Sequence, residues 1–153
     1  GLDIHPDENF TLKMAIDMGL GTAKMVETVT TIADVAQKQF IIEGQLKDMD
    51  EQWAVMDLIA AAFKATGTYV VKGVDEVNQL LDDHIVLVQA MSFSPFKGPF
   101  EEAIADKEFK LCMLQDVIGE WLALQRQWMY LEPIFSSDDI NRQLPQEGKK
   151  FAT

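Results

Sequence analysis

Two long stretches of regularly spaced apolar residues constrain the fold of this chain more than any other feature. The first runs from Thr22 to about residue 52, and the second from Pro99 to about residue 131. Apolar positions recur every three or four residues in both, which is the period of an α-helix with one apolar face. At a rise of 1.5 Å per residue, each helix would be roughly 45 to 50 Å long, more than a compact domain of this size needs. The predicted fold is therefore mainly α, an elongated bundle of long helices with one short β-hairpin.

The apolar spacing of the first long helix slips near residue 40. Its apolar positions are Val26, Val29, Ala33, Ala36 and Phe40, followed by Ile42, Leu46, Met49 and Trp53. Steps of three and four dominate on both sides of the slip, so a single continuous helix is expected.

A hairpin is predicted between the two long helices. β-branched residues bounded by glycines indicate strands near 54–61 and 68–72, with a turn around Lys64 to Gly67. After the hairpin, Asp75 and Glu76 suit the first turn of a helix that reaches Met91.

The two ends of the chain predict shorter helices. At the start, Asp7 is expected to cap a helix over residues 8–19. Pro133 is expected to end the second long helix, because the residue before a proline avoids helical geometry. Ser137 is then expected to cap a short helix that runs through Gln143, and another helix should run from Pro145 to Thr153. Because the chain stops inside an apparent helix, residues 1–153 are interpreted as a single helical segment of a longer protein.

Composition argues against several classes of partner. The net charge is −12, and no cluster of Lys and Arg is present to bind phosphate groups, so nucleic acid is not an expected partner. The same acidity disfavours anionic membranes, and the apolar runs are too short to span a bilayer. A membrane is therefore not expected either.

No group of residues has the spacing of a catalytic, cofactor or metal site. His5 and His84 are the only histidines, and neither has a second candidate ligand at the residue spacing typical of metal sites. The segment from Gly19 to Lys24 lacks the spacing of a phosphate-binding loop. The chain is thus not expected to be an enzyme, to hold a cofactor or to bind a metal.

Aromatic residues gather near the end of the second long helix. Trp121 and Trp128 are seven positions apart and share a face, Tyr130 points elsewhere, and Phe135 lies beyond Pro133. Two interpretations of this cluster remain open: its residues pack within the chain, or they dock onto another surface.

Several motifs resemble those of dynein heavy chains, in the linker region of the N-terminal half of the motor. They cover nearly the whole chain, from about Asp7 to Phe151. The matching motifs are Ala36 with Glu43, Leu46, Met49 and Trp53; Gly67-Thr68-Tyr69; Asp75-Glu76 with Leu81-Asp82-Asp83-His84; Ser94-Pro95-Phe96; and Trp121 to Phe135. The sequence from Glu132 to Ile140 is more similar to that of axonemal dyneins than to that of cytoplasmic dyneins.

The resemblance implies a mechanical role. In this family the linker is a bent rod of helical bundles lying across a ring of ATPase modules, and its straightening is the power stroke. The implied partners are the motor's own ring, within the same chain, and microtubules through other parts of the motor. ATP and Mg would bind in the ring and not in this segment. The implied location is the cytoplasm and cytoskeleton, in the axoneme of a cilium or flagellum.

The resemblance does not identify the residues that contact the ring. The aromatic cluster and the hairpin are the candidates, which gives a possible docking surface of Trp121, Trp128, Tyr130, Phe135 and Tyr69. A free-standing helical module that binds another protein is the alternative function.

Overall fold

The computed structural model describes residues 7–151, of which two long helices and a shorter one form the body. The elements are α1 (Leu12–Asp17), α2 (Ala23–Ala54), β1 (Ile59–Ala62), β2 (Tyr69–Lys72), α3 (Asp75–Ser92), α4 (Glu101–Phe135), α5 (Asp138–Gln143) and α6 (Pro145–Phe151). A 3-10 turn over Gly98–Phe100 precedes α4. Of the described residues 74% are helical, so the predicted mainly α fold is confirmed.

The core lies where α2, α3 and α4 meet. α3 lies against α4, and only the C-terminal half of α2 adds buried side chains to this cluster. The buried apolar residues are Ile42, Leu46 and Met49 of α2; Val77, Leu81, Val88 and Met91 of α3; and Ile104, Leu111 and Ile118 of α4. They recur at helical spacing within each element, so burial of one face of each helix drives the assembly.

The predicted hairpin forms, but its first strand is shorter than expected. β1 and β2 pair antiparallel, with Ile59 opposite Lys72 and Ala62 opposite Tyr69. β1 begins at Ile59 and not at residue 54, because α2 continues through Ala54. Three consecutive alanines, which favour helix in isolation, are strand here because they pair with β2.

The first helix begins later than predicted and has a different cap. α1 covers Leu12–Asp17, and the Thr11 hydroxyl accepts a hydrogen bond from the Met14 N–H at 3.3 Å. Asp7 instead accepts from the Asn9 N–H at 2.9 Å in a turn before the helix. Gly19, with φ of +86°, then provides the left-handed turn between α1 and α2.

The prediction that Pro133 ends the second long helix is wrong. α4 continues through it to Phe135. A proline in the last turn removes only one backbone hydrogen bond, and the next turn still closes, with the Ser136 N–H donating to the Glu132 carbonyl at 2.9 Å. Glu132, which precedes the proline, keeps helical geometry, and its side chain contacts Lys64 and Ser136.

The remaining boundaries are close to the predicted ones. Pro99 lies in the 3-10 turn and not at the first position of α4. Ser137 occupies the N-cap position of α5 as predicted, but its side chain makes no capping hydrogen bond. α6 reaches Phe151, while the last two residues of the predicted helix lie outside the described residues. Between residues 7 and 151, no helix combines the length and the apolar character needed to cross a bilayer.

Candidate docking surface

The five aromatic residues of the predicted docking surface do not form one continuous patch. Trp128 and Phe135 are partly buried in contacts within the chain. Tyr130 is 72% exposed and Trp121 is 49% exposed, and their helical positions put them on opposite sides of α4. Tyr69 is exposed on the hairpin. The predicted surface is thus divided among at least two faces of the molecule.

Trp128 and Phe135 belong to a ring cluster that closes the end of the bundle. Phe63 of the hairpin turn meets Trp128 edge to face, with ring centroids 5.5 Å apart. Phe151 of α6 stacks on Phe135 at 4.9 Å and lies parallel to Trp128 at 6.5 Å. Edge-to-face and offset-stacked rings add about 0.5 to 1.5 kcal/mol per pair beyond their burial. These four residues, the aromatic end cluster, join the hairpin, α4 and α6.

An ion pair supports the aromatic end cluster from one side. Glu132 is only 9% exposed, and its Oε2 lies 3.5 Å from the Lys64 Nζ in the hairpin turn. Its other oxygen accepts from the Ser136 hydroxyl at 2.8 Å. Lys64 has a positive φ of 49°, an uncommon backbone conformation for a side-chain-bearing residue. The turn is therefore fixed to α4 by a partly buried charged contact.

α5 and α6 close against the end of α4 through one asparagine. The Asn141 Nδ2 donates to the Phe135 carbonyl at 2.8 Å, which satisfies an acceptor at the helix end. Gly148 of α6 is buried against the same side chain, and a Cβ atom at that position would collide with the Asn141 Oδ1. The resulting groove between the hairpin turn, α4 and α6 is open and has a volume of about 900 Å³.

A side-chain amide ties the hairpin to the middle of α4. The Gln125 Oε1 accepts from the Val71 N–H at 2.7 Å, and the Gln125 Nε2 donates to the Val71 carbonyl at 2.9 Å. The amide thus acts as a neighbouring strand would, satisfying both backbone groups of Val71 on the side away from β1. Trp121 lies beside this contact in a crevice with Leu58 and Val71.

A second bridge ties α2 to α3. The Trp53 Nε1 donates to the His84 Nδ1 at 3.0 Å, and the two rings meet edge to face at 6.0 Å. Because Nδ1 is the acceptor, the bond requires the neutral imidazole with its proton on Nε2. His84 is 6% exposed, and burial lowers its pKa below 6.5, with Lys107 adding to that effect and Asp83 opposing it.

The same region links α2 to α4 by an ion pair. Lys107 of α4 contacts Asp50 of α2. In the described part of the chain, no three His, Cys, Asp or Glu side chains cluster closely enough to hold a metal ion, and His5 lies outside it.

Comparison with known proteins identifies the family. A family model described as "Dynein heavy chain, N-terminal region 2" matches residues 1–153. The chain belongs to the dynein heavy chain family.

Several similar proteins are axonemal dynein heavy chains. Human Dynein axonemal heavy chain 1 is 46% identical over 152 residues, which cover 99% of this chain and 4% of that protein. Rat Dynein axonemal heavy chain 12 is 39% identical over all of this chain and 5% of its own length. Human Dynein axonemal heavy chain 3 is 38% identical over 99% of this chain and 4% of its own length. The predicted membership of the axonemal type of dynein heavy chain is therefore confirmed.

Sequence reasoning missed several contacts in this member of the dynein heavy chain family. Phe63 and Phe151 were not identified as members of the aromatic cluster, and no partner was predicted for Gln125. The place of Gln125 on an apolar stripe of the helix could have indicated its contact, since a polar side chain on a buried face needs a hydrogen-bond partner. The ion pair of Lys64 with Glu132 joins residues 68 positions apart, and no local pattern indicates it.

Proposed function

We propose that this segment is a mechanical linker element of an axonemal dynein motor, transmitting ATP-driven changes of an ATPase ring to movement along microtubules. Its location is the axoneme of a cilium or flagellum, within the cytoskeleton. ATP and Mg bind elsewhere in the parent motor, and this segment contributes stiffness, not chemistry. The ring is its intramolecular partner, while other parts of the motor hold the microtubule.

The observation that carries this proposal is the way α4 connects both ends of the segment. α4 spans 35 residues, or roughly 52 Å as a continuous helix. Its N-terminal half belongs to the core with α2 and α3, and its C-terminal half holds the hairpin through Gln125 and the aromatic end cluster. A force applied at the aromatic end cluster would therefore have a continuous helical path to the core along α4. A lever needs such a stiff path, because a soft one would absorb the motion.

The hairpin and the aromatic residues of α4 are the candidate contact with the ring. The exposed Tyr69 on the hairpin and the exposed Trp121 beside it lie near the place where Gln125 fixes the hairpin to α4. Tyr130, on another side of α4, would face a different neighbour.

A helix-softening double substitution tests the proposal. Arg126 and Gln127 are exposed, between the core and the aromatic end cluster. Replacing both by glycine should weaken α4 locally by roughly 2 kcal/mol, since each glycine costs about 1 kcal/mol relative to alanine. Replacing both by alanine removes the same side chains and keeps the helix, which makes it the matched control.

The measurement is made in the parent motor, as microtubule gliding velocity divided by ATP turnover. The glycine variant should keep its ATP turnover and lose velocity, while the alanine variant should keep both. Equal velocity per ATP in the two variants, with hydrogen exchange confirming that α4 is loosened by glycine, would contradict the lever role.

A further inference from the structure

α2 carries two apolar faces, and the slip near residue 40 marks the change from one to the other. From Ile42 to Trp53 the apolar residues face the core. Between residues 26 and 40 a second row lies on a different side of the helix, roughly 140° away at 100° per residue. This row, here called the α2 seam, consists of Val26, Val29, Ala33, Ala36 and Phe40. The helix itself is continuous through the slip.

The α2 seam is uncovered by the described part of the chain. Val26 is 51% exposed, Val29 is 49% exposed and Phe40 is 69% exposed, and both alanines are exposed. Leu12 and Ile16 of the preceding α1 are exposed as well. An exposed apolar row of this length on a protein with a net charge of −12 marks an interaction surface.

The α2 seam and its flanks carry no charge. The flanking positions are Met25, Ile32 and Gln39 on one side and Thr30 and Gln37 on the other. Charged residues make up 25% of the chain, yet none falls among these ten positions. The charged residues of this half of the helix, such as Lys24, Glu27 and Asp34, lie on its other sides. The surface is thus suited to a dry contact with an uncharged partner face.

The shape of the α2 seam favours a helix as the partner. Its residues follow one another by three, four, three and four positions, which is the heptad spacing of helix pairs. Ala33 and Ala36 occupy its middle, where small side chains let a second helix backbone approach closely. Val26 and Phe40 are larger and lie at the two ends, where an inclined helix diverges.

Area and charge decide between the possible sources of that helix. The row is roughly 21 Å long, so the contact covers on the order of 500 Å² on each partner, below the ~800 Å² of a standard interface between separate proteins. Two copies would also bring together net charges of −12 each. A helix in the same polypeptide needs less area, because its effective concentration is high. The relatives are heavy chains of which this sequence covers 4% to 5%, so a heavy chain of that length has ample sequence to supply one.

We propose that the α2 seam binds an amphipathic α-helix from the same heavy chain, outside residues 1–153, whose contacting face is apolar and uncharged. The contact fixes the free half of α2 to the rest of the molecule. This contact follows from the family and the geometry of α2 alone, and it does not depend on the proposed lever role.

Site-specific photocrosslinking in the parent heavy chain tests the proposal. p-Benzoylphenylalanine is placed at Ala33 in the seam, at Gln37 on its flank, and at Thr31 as the control. Thr31 is exposed on the opposite side of the same helix. The flank position keeps the test valid if the bulky group at Ala33 prevents the close approach.

The expected result is crosslinking from a seam or flank position at least about fivefold above Thr31, because only that side of the helix meets a partner. The crosslinked peptide, identified by mass spectrometry, should lie in the same chain and carry apolar residues at three- and four-residue spacing. Crosslinks to a second heavy chain, crosslinks to a different polypeptide, or no excess over Thr31 would each overturn the proposal.

Hydrogen exchange gives a second, independent measurement. Ala36→Glu puts a charge into the seam, and Thr31→Glu puts the same charge on the opposite side of the helix. Exchange across residues 25–40 of the parent chain should rise about tenfold or more with Ala36→Glu and change little with Thr31→Glu. Equal exchange in the two variants would argue that no helix covers the seam.

Discussion

The two hydrogen bonds from Gln125 to Val71 can be tested by changing one atom. Gln125→Glu keeps the shape and still offers an oxygen to the Val71 N–H, but its carboxylate cannot donate to the Val71 carbonyl. One hydrogen bond is lost, and a negative oxygen then faces a carbonyl oxygen in a partly buried position. An unsatisfied polar group in such a place costs about 1 to 3 kcal/mol, so a loss of about 2 kcal/mol of unfolding free energy is expected at pH 7.5.

Lowering the pH should reverse part of this loss. The protonated carboxyl can donate to the Val71 carbonyl and accept from its N–H, as the amide does. The folded state therefore raises the pKa of the introduced carboxyl above its unfolded value of about 4.3. A group with a raised folded pKa stabilises the protein most below the unfolded pKa, and that stabilisation is lost as the pH rises through the folded pKa. The deficit should thus be smaller at pH 5.5 than at pH 7.5.

The assay is urea unfolding followed by tryptophan fluorescence at both pH values, each remaining above the sequence pI of 4.4. Wild type at each pH supplies the reference, which cancels the titration of other groups. Gln127→Glu, on the exposed surface of the same helix, adds the same charge without touching the hairpin. The role assigned to Gln125 would be refuted by either of two results. The first is that Gln125→Glu loses no more unfolding free energy than Gln127→Glu, and the second is that its loss is equal at the two pH values.

Three further predictions concern the core, the α2–α3 bridge and the aromatic end cluster. Leu81→Ala should cost about 2 to 5 kcal/mol in urea unfolding because Leu81 is fully buried, whereas Leu124→Ala, at an exposed site, should change stability by less than about 0.5 kcal/mol. His84 has a lowered folded pKa, so wild type should be most stable above pH 6.5 and lose stability as the pH falls below it. His84→Gln can still accept from Trp53 but does not titrate near neutral pH, so a pH dependence equal to that of wild type would contradict this assignment. Phe151→Ala should cost about 1 to 3 kcal/mol and quench or shift the emission of Trp128, and unchanged emission would argue against the stacked arrangement.

The long helices and the hairpin could be predicted from the sequence because their signals are local. Apolar spacing placed α2 and α4 within a few residues of their observed N-terminal starts, and β-branched residues between glycines placed β2 closely. The end of α4 was misplaced because a proline in the last turn removes only one backbone hydrogen bond, and the turn closes beyond Pro133 through the Ser136 N–H. The neighbouring Glu132 also contacts Lys64, which is distant in sequence.

The candidate site was less predictable than the fold. Helical spacing shows which aromatic residues share a face, but not whether a hairpin or a later helix covers that face. The sequence alone therefore could not show that Trp128 and Phe135 are packed within the chain while Trp121 and Tyr130 are exposed. Their possible role in docking onto the ring stays a prediction.

The sequence by itself determined the helical class, the family and the position of the slip near residue 40, since each depends on the order and spacing of neighbouring residues. Only the tertiary structure decided which apolar faces are covered, that Gln125 serves as a substitute strand, and that the slip separates a buried half of α2 from an exposed seam. The physical reason is that burial and hydrogen-bond pairing depend on residues far apart in sequence, whose meeting is set by the packing of the whole fold.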